Sequence, residues 1–188
     1  MKSIMLVACL LGTGCWGMGC TAYPPKLHPD FDFLQPTTVR VTPVENRTRH
    51  TNLHAYPTAG FLQRALLDAD EIDVLRLFHE GAAETLTKRG YGISLTQPAQ
   101  ADASDSTADL HIRLLDWVPT TGLAGGGIEV DLEVELVQRD SDVTLYKRRC
   151  RHRITGQEHS GRLALGSVMG RGIKRSVRGA LYYLPAVK

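Results

Sequence analysis

The chain has 188 residues, of which 43% are apolar and 22% are charged. This composition is ordinary for one globular domain, and the chain is long enough to bury a core without disulfide bonds. A formal net charge of +2 is too close to neutral for a general nucleic-acid binder. We therefore expect a single domain and no nucleic-acid partner.

The chain begins with a segment typical of an export signal. Lys2 precedes an apolar run over residues 4–16, which is too short to span a bilayer as a stable helix. The run leads into Gly19 and Cys20. Lipoprotein signals end at a cysteine preceded by small residues, because its thiol receives a lipid before the signal is removed. Residues 1–20 are therefore predicted as a lipoprotein signal peptide, with Cys20 as the lipidated residue.

Other interpretations of this end remain open. The sequence LVAC ending at Cys9 matches the lipoprotein pattern, but only about five apolar residues precede it where seven to fifteen are typical. Cys15 follows a GTG sequence, and ordinary cleavage after Ala22 is a further alternative. The segment could also be an apolar helix at the N-terminus of the fold.

A proline-rich segment, residues 21–36, follows the predicted lipidation site. Such composition favours an extended tether between a membrane and the folded domain, which we place at residues 37–188. Thr21 is not the aspartate associated with retention in the inner membrane, so the resemblance to lipoprotein signals implies the periplasmic face of the outer membrane. Lipidation of Cys20 would leave Cys150 as the one unmodified cysteine of the mature chain and exclude an internal disulfide.

The first half of the domain shows a strand, a helix and a second strand. TTVRV alternates valine with polar residues, as a half-buried strand does. A helix is predicted from about Asp70 to Arg89, because apolar residues recur there at helical spacing and Gly90 suits a C-terminal cap. YGISL then predicts the second strand, and residues 96–109 form a polar connector.

Three long strands follow as a meander. LHIRLLDWV and IEVDLEVELV both alternate apolar and polar residues, and VTLYKRRCRHRI forms the third strand. The residues expected on the buried face of the first two strands are Leu110, Ile112, Leu114, Ile128, Val130, Leu132, Val134 and Leu136. The connecting segments, TTGLAGGG and RDSD, contain the residues that turns require.

The polar faces of the last two strands carry opposite charges. Four acids lie on one face of the first strand and four bases on one face of the second. An antiparallel register predicts the pairs Glu129–Arg153, Asp131–Arg151, Glu133–Arg149 and Glu135–Lys147. Each exposed pair would contribute only about 0.2–1 kcal/mol, and the pattern would mainly fix the register. An anion-binding or lipid-binding patch is the alternative interpretation of the basic run.

The C-terminal segment predicts a helix with one apolar face, made of Leu165, Val168, Met169, Ile173, Val177, Ala180, Leu181 and Leu184. Its glycines cost helix stability, which indicates close backbone approach to the sheet or to a partner. They lack the spacing of a phosphate-binding loop. Arg171, Lys174, Arg175 and Arg178 lie on the other side, which could rest on a membrane surface or face solvent.

Candidate catalytic and metal-binding residues are few. His50 and His54 have the i, i+4 spacing of zinc ligands on a helix, but their surroundings look like a loop. Cys150 and His152 lie on the same side of one strand, where a structural cysteine is more plausible than a thiolate–imidazole pair. We expect no catalytic residue, no metal and no cofactor.

These elements give an α/β fold, a two-layer sandwich. Its mixed sheet has about four to five strands in the order β-α-β-β-β-α, with helices on one face. VRVTPVENRT, KRGYGISL, ADLHIRLLDW and IEVDLEVELVQRDSDVTLYKRR resemble bacterial envelope lipoprotein domains related to the curli-secretion lipoprotein and to the amino-terminal domain of TolB. The resemblance covers residues 37–184.

The resemblance implies a non-enzymatic lipoprotein of the cell envelope. It would be anchored in the outer membrane through acylated Cys20, and it would bind another envelope protein or itself, for instance within a secretion or transport apparatus. The alternative is a secreted hydrolase or metal-binding domain that uses His50 and His54. Stoichiometric metal would distinguish the two functions.

Overall fold

The described part of the chain contains eight strands and three helices. The computed structural model describes residues 20–49, 53, 73–94, 107–120, 127–155 and 165–187. In chain order the elements are β1 (Cys20–Ala22), β2 (Lys26–Leu27), α1 (Phe31–Leu34), β3 (Thr38–Val41), β4 (Glu45–Asn46), α2 (Val74–Thr87), β5 (Gly92–Ser94), β6 (Thr107–Thr120), β7 (Gly127–Gln138), β8 (Thr144–Thr155) and α3 (Leu165–Ala180). The predicted α/β class is confirmed.

All eight strands form one mixed sheet. The order across it is β1-β8-β7-β6-β3-β5, while β2 also pairs with β8 and β4 with β6. β3 is parallel to both β5 and β6, whereas the β6–β7–β8 meander is antiparallel. Between the two long helices lie four described strands, β5 to β8, which match the predicted strand YGISL and the predicted three-strand meander, although the order β-α-β-β-β-α counted one strand too few. The short strands β1, β2 and β4 were not predicted.

The helices cover one face of the sheet and enclose the core. The predicted inward residues of β6 and β7 are buried, and Phe78 of α2 packs edge-on against Trp117 of β6 with ring centroids 6.4 Å apart. From α3, the buried side chains include Ile173, Val177 and Ala180. The core therefore lies between this sheet face and helices α2 and α3, as the apolar periodicity predicted.

Helix α2 has the expected signals at both ends. Asp73 caps its N-terminus, where the side chain accepts a hydrogen bond from the amide of Arg76 at 2.9 Å. Beyond its C-terminus, Gly90 adopts a φ of 87°, and the Tyr91 amide donates to the Leu86 carbonyl at 3.2 Å. The described helix starts at Val74, and the part of the prediction at residues 70–72 lies outside the described residues.

A β-bulge in β6 places Trp117 in the core. Leu114 pairs with Leu132, but the next pair is Asp116 with Asp131, so Leu115 is the extra residue. Without the bulge, strict alternation after Leu114 would turn Asp116 toward the helices and Trp117 toward the charged face.

Two glycines of α3 differ in the space around them. A Cβ on Gly172 would lie 2.4 Å from Cγ2 of Ile154, whereas a Cβ on Gly170 would have its nearest neighbour, Cδ2 of Leu77, at 3.8 Å. The predicted close approach of the C-terminal helix to the sheet is therefore confirmed at Gly172.

These environments predict opposite effects of alanine on stability. Gly170→Ala should stabilise the protein by about 0.5–1 kcal/mol, because alanine is the better helix former. Gly172→Ala would bring the same gain in helix propensity, but overpacking against Ile154 costs about 1–3 kcal/mol and outweighs that gain. This variant should therefore be less stable than the wild type. Urea unfolding of the two variants provides the measurement, and equal shifts in midpoint would contradict the packing argument.

The segment predicted as a tether requires correction. β1 and β2 pair with β8, the Tyr23 amide donates to the Arg149 carbonyl at 3.2 Å, and the His28 amide donates to the Leu145 carbonyl at 2.9 Å. Phe31 is buried. Residues 21–36 therefore lie on the domain, because backbone groups at the edge of β8 offer hydrogen bonds that an isolated proline-rich segment lacks.

Candidate functional site: the charged sheet face and the N-terminal edge

The sheet face opposite the helices carries an ionic network across β6, β7 and β8. The central strand β7 supplies four carboxylates: Glu129, Asp131, Glu133 and Glu135. β8 supplies Lys147, Arg149, Arg151 and Arg153 on the same face. The structure pairs Glu129 with Arg153, Asp131 with Arg151, Glu133 with Arg149 and Glu135 with Lys147, which confirms the predicted register.

The ionic contacts in this network run partly along diagonals. Arg149 contacts Asp131 at 2.7 Å, and Arg151 contacts Glu129 at 3.2 Å and Asp131 at 3.3 Å. Lys147 lies 3.3 Å from Glu133 and 3.6 Å from Glu135. Long basic side chains reach diagonal neighbours across an antiparallel pair, so a residue's backbone partner need not be its ionic partner.

Asp131 differs from the prediction of exposed charge pairs, because its side chain is only 3% exposed. Arg149 holds it with two hydrogen bonds, from Nε to Oδ1 at 2.9 Å and from Nη2 to Oδ2 at 2.7 Å. This bidentate geometry is stronger than a surface ion pair. The expectation of a weak, solvated contact is therefore wrong at this position.

Neighbouring basic side chains lower the pKa of two carboxylates of this network, Asp131 and Glu135. Burial raises the pKa of Asp131, but hydrogen bonds and positive charge from Arg149 and Arg151 outweigh burial and hold the pKa below its usual value. At Glu135, burial again raises the pKa, and Arg113 and Lys147 together lower it further than burial raises it. Both groups are therefore charged at neutral pH.

A basic residue on the β6 side of β7 was not predicted from the sequence. Arg113 of β6 donates from Nη1 to Glu133 at 2.9 Å and to Glu135 at 2.6 Å. Hydrogen bonding to Glu135 is the main reason that the pKa of Arg113 is raised. The alternation of β6 could have predicted this position. Arg113 lies between the inward residues Ile112 and Leu114, so its side chain must point to the charged face.

The basic run of β8 is divided between the two faces of the sheet. Arg148 points to the helix face, where it donates to the Gly179 carbonyl at 2.6 Å and lies 4.5 Å from the Tyr183 ring centroid. Lys147, Arg149 and Arg151 are paired with carboxylates on the opposite face. The run therefore does not form one continuous cationic patch.

Cys150 and His152 share the helix face, as predicted. Both residues are buried, and Cys150 Sγ lies 3.8 Å from the Ser176 carbonyl oxygen of α3. Packing beneath the helix fits a structural cysteine. Within the described residues, no three His, Cys, Asp or Glu side chains are grouped to hold a metal ion. His50 and His54 lie outside the described residues, so the alternative zinc hypothesis stays untested.

The outer edge of β8 is covered by the N-terminal segment. The first residue of β1, Cys20, pairs through its backbone with His152. Tyr23, Lys26 and Leu27 follow along this edge and are exposed, Tyr23 to 59% and Leu27 to 45%. No described helix is both long and apolar enough to cross a membrane.

Structural comparison identifies proteins with a similar fold. A PelC dodecamer from Paraburkholderia phytofirmans matches with a TM-score of 0.53 and 18% sequence identity, over 90% of this chain and 99% of that chain. Lipoprotein GNA1162 from Neisseria meningitidis matches with a TM-score of 0.44 and 12% identity, over 77% and 97% of the two chains. A hypothetical protein, CT253 from Chlamydia trachomatis, matches with a TM-score of 0.47 and 11% identity, over 78% and 97%.

The PelC match establishes a shared fold over most of both chains. No protein-family model and no curated protein matches the sequence. The resemblance to the curli-secretion lipoprotein and to TolB remains an interpretation of the sequence.

Proposed function

We propose that the protein is a non-enzymatic lipoprotein of the bacterial cell envelope that acts as a binding or assembly component. Acylated Cys20 would anchor it at the periplasmic face of the outer membrane. The observation that carries this proposal is the position of Cys20, which follows an apolar run typical of an export signal and begins the first described strand. In this arrangement the anchor joins the folded domain directly.

The charged face supports a binding role better than catalysis. Most of its described ionic groups pair with one another, and both carboxylates with a shifted pKa are held in the charged form that a general acid could not use. A catalytic site needs groups whose pKa is tuned toward the working pH. A folded domain with paired charges is instead suited to present a fixed surface to another protein.

The partner that we propose first is a second copy of the chain. The solved PelC protein with the same fold is a dodecamer, and closed homo-oligomers are common among soluble assemblies. An assembly of this kind would gather several lipid anchors and hold them in one membrane, which increases avidity without any new contact.

The mass of the acylated protein in mild detergent tests this assembly. We expect light scattering after size-exclusion chromatography to give a defined multiple of the monomer mass, and cross-linking in intact envelopes to give the same multiple. A monomer in both measurements would contradict homo-oligomerisation. A cross-link to a different envelope protein in that case would keep the assembly role and replace the proposed partner.

A further inference from the structure

The N-terminal edge of the sheet is placed beside any membrane to which Cys20 is attached. Hydrogen bonds hold the chain to β8 from Cys20 to Leu27, opposite His152 and Tyr146 respectively. At about 3.3 Å per residue this paired stretch extends roughly 20 Å along β8. A lipid on Cys20 would therefore draw the edge itself to the bilayer, with no free chain between them.

From this arrangement we propose that the N-terminal edge, which is formed by residues 20–27 along β8, lies flat on the phospholipid surface. The proposal rests on lipidation of Cys20 and adds the orientation of the domain. Tyr23, Lys26 and Leu27 would enter the headgroup region, where aromatic, basic and apolar side chains are all accommodated.

Charge along the edge suits a phospholipid surface. Neither Lys26 nor Arg153 has a carboxylate within ion-pair distance among the residues that the structure describes. Arg149 and Arg151 are close to this edge and remain about half exposed although they contact Asp131. Basic side chains near an anionic bilayer surface gain favourable interactions with phosphate groups.

The same edge is poorly suited to strand pairing with a second copy. β1 and β2 are three and two residues long, and Pro24 and Pro25 separate them. Proline has no amide hydrogen to donate, so an added strand would meet an interrupted edge. This interruption favours lipid over another chain as the neighbour of the edge.

Tryptophan reporters in the full acylated protein test the orientation. Tyr23→Trp and Leu27→Trp would be reconstituted separately into phosphatidylethanolamine–phosphatidylglycerol vesicles, with or without brominated acyl chains. We expect brominated vesicles to quench both variants more than the parent, whose Trp117 is buried. Thr87→Trp is the matched control. Thr87 is exposed on α2, which contacts β3 and β5 at the opposite edge of the sheet from β1.

The results of this experiment distinguish a wrong orientation of the domain from a wrong lipid anchor. Vesicle-bound, acylated protein in which positions 23 and 27 are quenched no more than position 87 would overturn the orientation and leave the anchor intact. Blue-shifted emission from positions 23 and 27 in detergent, insensitive to brominated lipid, would show a second copy on the edge and would also overturn it. Mass spectrometry that finds no acyl group on Cys20 would overturn both the anchor and the orientation.

Discussion

Replacement of both arginines that hold Asp131, in the variant Arg149→Leu/Arg151→Leu, is expected to destabilise the protein by about 3 kcal/mol. The wild-type carboxylate is nearly inaccessible and accepts hydrogen bonds from both guanidinium groups. The variant would leave a buried charge without its partners, and Asp116, opposite Asp131 on β6, adds a second negative charge nearby. Urea unfolding measures the loss of stability.

Two further variants identify the buried charge as the cause. Adding Asp131→Asn to the double variant should recover most of the lost stability, because a neutral amide is less costly to bury than an unpaired carboxylate. Arg153→Leu is the matched control, since Arg153 is exposed on the same strand, and its effect should stay within about 0.5 kcal/mol. A triple variant no more stable than the double variant would refute this explanation.

The contribution of Asp131 to the pH dependence of stability should change sign between the wild type and the double variant. In the wild type the pKa of Asp131 is lowered by folding, so its stabilising contribution is present above the unfolded-state pKa of about 3.9 and is lost as the pH falls through the folded-state value. Without the arginines, burial dominates and raises the pKa of Asp131. The difference in free energy of unfolding between the wild type and the double variant should therefore shrink as the pH falls from neutral, because protonation of Asp131 removes the unpaired buried charge.

Cys20→Ser is expected to abolish membrane attachment through acyl chains. Serine lacks the thiol that forms the thioether to the lipid, so neither acylation nor release of the signal should follow. Each methylene of a buried acyl chain contributes about 0.8 kcal/mol to membrane affinity, so anchoring by several chains is effectively stable and its loss is a large effect. Mass spectrometry of the mature N-terminus provides the measurement.

The other cysteines of the N-terminal segment provide matched controls. Cys9→Ser and Cys15→Ser should leave acylation and signal release intact. An acyl group on Cys15 or Cys9, or an unmodified mature chain that starts after Ala22, would show that the predicted site is wrong. Fractionation of the same variants should agree, with lipidated protein recovered in membranes.

The sequence predicted the central meander well because local periodicity and side-chain charge act together there. β7 alternates strictly, and a shift of one residue would bury Glu133 and Glu135 among apolar side chains, so few registers compete. Prediction was weaker where one residue breaks the period. The extra Leu115 in β6 is compatible with the sequence but is not specified by any local pattern.

The candidate site was only partly predictable for a related reason. Charge alternation predicted which residues share a face, but the burial of Asp131 depends on how two flexible arginines lie over it. The tether prediction failed because proline content describes the intrinsic preference of a segment, whereas the free edge of β8 is a property of the whole fold.

Pairing between β1 and β8 also determines which part of the sheet can form last. The two strands lie far apart along the chain, and contacts between distant residues form slowly because a long loop must close first. Residues 20–27 come early in the chain but have no place to dock until Thr144–Thr155 has paired with β7. The outer edge of the sheet is therefore completed last, and the folding chain must be kept from aggregating through β8 until residues 20–27 cover that edge.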